Sequence, residues 1–99
     1  MLNINKTITD GKAVFALEGR LDTNTSVELE AALSPVLDGI NELVFDLGSL
    51  EYISSAGLRV LLSAHKNLSK KGGMKVTNVN EMIMEIFEVT GFADILAIE

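Results

Sequence analysis

The sequence contains no cysteine, and only one histidine and one proline, among its 99 residues. Without cysteine, disulfides and thiolate chemistry are excluded. His65 alone cannot furnish the several Cys and His ligands from which structural zinc sites are usually built, so neither a metal nor another cofactor is expected. No apolar run approaches the ~20 residues that a membrane helix needs. Met1 to Lys12 lacks the basic start and apolar centre of a signal peptide. A cytoplasmic protein without membrane insertion is the expectation. Basic residues are also scarce, eight Lys and Arg against fourteen Asp and Glu, a formal net charge of −6. A nucleic-acid binder gathers cations to neutralise phosphates. The one basic cluster here, Lys66, Lys70 and Lys71, falls late in an expected helix, where cations suit the helix dipole. No nucleic-acid partner is expected, and an acidic surface fits a protein that docks on other proteins.

What the chain does have is one domain's length, residues 1–99, and a 47% apolar content that can build one core. Leu2, Ile4 and Ile8 alternate as in a strand, with Lys6 the polar exception. Asp10-Gly11 is a tight-turn signal, and Val14 to Leu17 form a second strand, giving an N-terminal hairpin. Thr25 and Glu28 have capping-box spacing, and Leu29, Leu33, Val36, Leu37 and Ile40 recur at helical intervals. A helix over about Thr25 to Asp38 is predicted, kinked at Pro35 or restarted there behind Ser34. Leu43 to Leu47 reads as a covered strand, followed by a short connection. Leu58, Leu61, Leu62, His65 and Leu68 mark a second amphipathic helix that ends at Lys70-Lys71-Gly72-Gly73. Met74 to Val79 is a further strand. Met82, Ile83, Ile86 and Phe87 mark a third helix closed by Gly91, and Ile95 to Ile98 a last strand. The order β-β-α-β-α-β-α-β predicts an α/β fold. Its mixed sheet combines an antiparallel hairpin with parallel strands, packed by about three helices.

The most informative segment is Asp46 to Arg59, which passes from a strand through Ser54 and Ser55 into a helix. Sites in α/β sheets gather at the carboxyl ends of strands. A hydroxyl there lies beside unpaired backbone N–H groups and the positive end of the helix dipole. Either serine could instead simply cap the helix. A catalytic serine needs a neighbouring base. His65 lies ten residues further along the same expected helix, about 15 Å away, and falls on the apolar stripe. Ser54-Ser55-Ala56-Gly57 is not a nucleophile elbow, and Gly72-Gly73 ends a helix rather than opening a phosphate loop. Asp22 and Asp46 could form a carboxylate pair, or be a helix-start acid and a strand-end acid. No enzyme activity is expected.

The stretch Leu50 to Leu62 resembles the signature of the STAS domain, in particular that of bacterial anti-sigma factor antagonists. Gly19-Arg20-Leu21-Asp22-Thr23-Asn24-Thr25 is similar to the family's segment before its first helix, and Gly91-Phe92 to that before its last strand. Aligned on Gly57-Leu58, the resemblance places the family's phosphorylated serine at Ser55. It implies a module that sequesters an anti-sigma factor serine kinase when Ser55 is unphosphorylated, is ejected on phosphorylation, and is restored by a PP2C-type phosphatase. It further implies a docking face formed by Asp22, Thr23, Asn24, Ser54, Ser55, Gly57, Leu58 and Arg59. Two departures stand out. Ser54 occupies the place of the usual aspartate, and the sequence reaches Glu99 where many relatives continue into a C-terminal helix. The first keeps open an alternative: an unphosphorylated STAS subunit of a lipid-transport ATPase or signalling scaffold.

Overall fold

A computed structural model describes residues 1–99. Strand β1 (Leu2–Thr9) pairs antiparallel with β2 (Lys12–Leu21) across the Asp10-Gly11 turn. Both turn residues take positive φ, 48° and 80°. A two-residue type I′ hairpin demands that geometry, and Asp-Gly adopts it at low cost. The chain continues through α1 (Thr23–Leu37), β3 (Glu42–Ile53), α2 (Ser55–Leu68), β4 (Gly73–Thr77) and α3 (Glu81–Thr90). A 3₁₀ turn at Phe92–Asp94 then leads to β5 (Ala97–Ile98).

The sheet order is β1-β2-β3-β4-β5, antiparallel at the first pair and parallel thereafter. This is the mixed sheet that the element order predicts. Each parallel step moves one place in the same direction, so right-handed crossovers put all three helices on one face. Side-chain burial follows that arrangement. Ala13, Phe15 and Leu17 of β2, Leu43, Phe45 and Leu47 of β3, and Met74 and Val76 of β4 are buried beneath the helices. Their alternating neighbours Val14, Val44 and Lys75 lie on the open face, half-buried or exposed. Phe15 and Phe45, paired across the central strands, meet edge to face at 5.9 Å.

Strand β2 begins at Lys12 and runs on to Leu21, and β4 ends at Thr77; the structure corrects the sequence reading in four further places. The first is β3, whose expected end at Leu47 gives way to a strand running to Ile53, so the expected connection is itself strand. Its register against β2 slips between Ala16 and Glu18 and again between Gly19 and Arg20, each time with one extra residue on β3. These bulges rephase the alternation. Leu47, Leu50 and Ile53 are all buried, at a spacing of three that hides the strand from a period-two search. The second is the start of α1. It begins two residues early, capped by Asp22 rather than Thr25, and Glu28 takes no part. The third is Pro35, behind which α1 does not restart, the helix running on unbroken to Leu37. It lies in the last turn, with Ala31 on the same exposed face, so the carbonyl deprived of its N–H partner can be hydrated. The fourth is the last strand, only Ala97–Ile98, because Ile95 and Leu96 give their N–H groups to the Phe92 carbonyl at 3.0 and 2.9 Å.

At the end of the helix pair opposite the carboxyl edge of the sheet, the Lys71 ammonium donates to the carbonyls of Leu37 and Ile40 at 2.7 and 3.1 Å. One member of the basic cluster thus satisfies carbonyls at the end of α1 and just beyond it.

Candidate functional site

The parallel pair β2 and β3 end level, Leu21 opposite Ile53. The chain therefore leaves both strands side by side and starts α1 and α2 as neighbours at the carboxyl edge of the sheet. The Ser54 N–H donates to the Leu21 carbonyl at 2.8 Å, which joins the two exits directly.

The start of α1 is closed. The Asp22 carboxylate accepts from the N–H groups of Asn24 and Thr25 at 3.0 and 2.9 Å, and the Thr25 hydroxyl accepts from the Asp22 N–H at 2.8 Å. The same hydroxyl lies 2.7 Å from the Arg20 carbonyl and 3.1 Å from the carboxylate. The Thr25 N–H holds the Asp22 carboxyl below its ordinary value, against a desolvation that raises it. Thr23 and Asn24 are exposed on this turn.

The start of α2 is half open. Ser54, in extended geometry, is the cap, and its hydroxyl accepts from the Gly57 N–H at 3.2 Å. Ser55 is the first residue of the helix; it is exposed, and its hydroxyl makes no hydrogen bond. The alternatives for the two serines are thereby divided between them, Ser54 capping and Ser55 presented. Gly57 is buried against the neighbouring exit. A Cβ there would stand 2.7 Å from the Leu21 Cγ and 3.0 Å from the Ile53 Cγ1, closer than carbon atoms pack. Leu58 is 6% exposed and belongs to the core. Gly57 and Leu58 therefore support the turn from beneath, while Asp22, Thr23, Asn24, Ser54, Ser55 and Arg59 reach the surface.

Arg59 opens onto a groove of about 500 Å³ between α1 and α2, walled also by Val27, Glu30, Ala56 and Lys66. Val27 is 66% exposed. Sequence reasoning passed over this groove, although an aliphatic residue off the buried stripe of α1 was the available signal. On the other side of the exits, the Arg20 guanidinium stacks on Tyr52 at 4.4 Å from the ring centroid, a pairing set by their register.

The remaining candidates do not assemble. Asp46 accepts from the Gly48 N–H and the Asn78 side-chain amide at 3.0 and 3.1 Å. It pairs in register with Ala16, six residues before Asp22 on the chain and roughly 20 Å away along the strand. His65 and Ser55 lie on one continuous helix, ten residues and about 15 Å apart. The His65 Nδ1 is buried without a partner. No helix of the structure is long and apolar enough to cross a membrane.

A mixed five-stranded sheet with three helices on one face is a STAS-type architecture. The family model described as the STAS domain matches residues 3–99, and the chain belongs to that family. A candidate anti-sigma factor antagonist of Bordetella bronchiseptica, BtrV, is 37% identical over 91 residues, 90% of this chain and 78% of that protein. The anti-sigma-B factor antagonist of Staphylococcus aureus is 31% identical over 97 residues, 96% of this chain and 90% of that protein. A crystal structure of an anti-sigma factor antagonist from Mycobacterium paratuberculosis superposes with a TM-score of 0.89 at 26% identity, covering 99% of this chain and 85% of that one.

Proposed function

We propose that this protein is an anti-sigma factor antagonist switched by phosphorylation of Ser55. The observation that carries the reading is the division of labour at the start of α2, where Ser54 caps the helix and Ser55 stands exposed and unbonded. The names of the relatives at 37% and 31% identity support the functional class. In this reading the unphosphorylated protein sequesters an anti-sigma factor serine kinase, and the kinase supplies all the catalysis. The partner rests on the surface formed by Asp22, Thr23, Asn24, Ser54, Ser55 and Arg59. A phosphate on Ser55 adds about −1.5 to −2 charges beside the Asp22 carboxylate, and so brings repulsion and desolvation cost into the contact. A PP2C-type phosphatase removes it. The test is incubation with the cognate kinase and ATP, read by intact mass. One added phosphate that Ser55→Ala abolishes is the expected result; no phosphate, or phosphate elsewhere, overturns the reading.

Ser54 favours a second reading, because the aspartate usual at that place is absent. In that case the same surface docks constitutively, as a subunit of a lipid-transport ATPase or of a signalling scaffold. Copurification with such a partner that Ser55→Asp leaves unchanged is the result that selects it.

A further inference from the structure

We propose that Arg59 receives the phosphate on Ser55 within the same molecule, and in doing so withdraws its own charge from the groove between α1 and α2. The inference rests on the reading of Ser55 as the acceptor. Ser55 opens α2 and Arg59 follows four residues later, so the two share one face with their Cβ atoms about 5–6 Å apart. Helical side chains lean toward the N-terminus, and a residue covers the turn before its own. Arg59 therefore overlies the turn that holds Ser55. The intervening residues leave the path open, since Ala56 carries only a methyl group and Gly57 and Leu58 are buried against the core. Both groups are exposed and unengaged. The Ser55 hydroxyl has no partner, and the one ion pair in the structure joins Lys75 and Glu99. A guanidinium and a phosphate dianion match as a bidentate pair.

The charged neighbours direct the phosphate the same way. Asp22, at the start of α1, repels it from that side, while its own carboxylate is already held by Asn24 and Thr25. Glu30 faces Arg59 across the groove, but offers one negative charge against nearly two. Lys66 lies seven residues beyond Arg59, about 10 Å further along the helix. In the unphosphorylated protein the groove presents the cations of Arg59 and Lys66 beside the apolar Val27 and Ala56. Glu30, Arg59 and Lys66 together give the groove a net charge of +1, which a phosphate carrying about −1.5 to −2 charges would reverse. A partner that places a carboxylate against Arg59 would lose it even where the phosphate itself touches nothing in the partner.

The test needs no kinase. Phosphoserine is installed at position 55 by genetic-code expansion, and its ³¹P shift is followed against pH. The second phosphate ionisation in the otherwise unaltered protein is expected about 0.15–0.4 pH unit below that in Arg59→Gln, the size of an i,i+4 charge pair. Arg59→Lys should fall between the two, and 1 M salt should shrink the difference. Equal ionisation with and without the Arg59 guanidinium overturns the proposal. Failure of a kinase to modify Ser55 would instead overturn the acceptor reading and leave the ³¹P result standing.

Discussion

The two helix starts at the carboxyl edge of the sheet are built alike and finished differently. Each follows a strand end directly, Asp22 after Leu21 and Ser54 after Ile53, and each cap residue is extended. The third helical position decides the contrast. In α1 it is Thr25, whose hydroxyl returns a bond to the Asp22 N–H and closes a reciprocal box. In α2 it is Gly57, which returns nothing, so the Ser54 N–H turns to the Leu21 carbonyl instead. One start is a self-contained lock. The other leans on its neighbour, and its missing side chain lets the two exits close together and leaves Ser55 uncommitted. Polar residues at a helix start thus mean different things according to whether the third position completes the box.

Removing the absence at Gly57 should have the largest effect on this contrast. Gly57→Val drives a branched side chain into Leu21 and Ile53, and a loss of about 3 kcal/mol is expected by urea unfolding. Stability within 0.5 kcal/mol of the unaltered protein would show that the exits have room to part. Next comes the lock itself. Thr25→Val keeps the shape but orphans the Asp22 N–H and the Arg20 carbonyl, with an expected loss of about 1–2 kcal/mol. Ser54→Ala removes a one-sided cap and should lose less, about 0.5–1 kcal/mol. A loss equal to that of Thr25→Val would erase the distinction between lock and open start. Ser55→Ala should fall within about 0.5 kcal/mol of zero, although it abolishes the proposed phosphate acceptance.

The smallest effect is one of pH. The Asp22 carboxyl is held below its ordinary value mainly by the Thr25 N–H, so its contribution is present above the unfolded value of about 4 and lost as pH falls through the lower folded one. Urea midpoints compared between pH 6 and pH 3 should fall slightly less for Asp22→Asn than for the unaltered chain. Identical falls would mean that the lock does not depend on the charge.

The sheet order and the hairpin were legible because Asp10-Gly11 and the apolar runs obey simple periods. The end of β3 was not, because two bulges turn an alternation of two into a spacing of three at Leu47, Leu50 and Ile53. The start of α1 was misplaced because Thr25 can cap or complete a cap, and only the position of the preceding strand end decides which. At the site, the serine pair was visible but not its division, since that depends on which backbone N–H each hydroxyl meets. Leu58 illustrates the opposite error. Its helical spacing put it on the buried stripe, whereas a motif match grouped it with surface residues, and the spacing was the better guide to where the side chain lies.

The groove between α1 and α2 is tied at both ends, by the Ser54 N–H on the Leu21 carbonyl at one and by the Lys71 ammonium on Leu37 and Ile40 at the other. Both links oppose a splaying of the two helices. A partner therefore meets a groove whose width is held at either end. The ordering cost of association then falls on the partner and on the few surface side chains, and a poorly shaped partner is rejected by fit rather than accommodated.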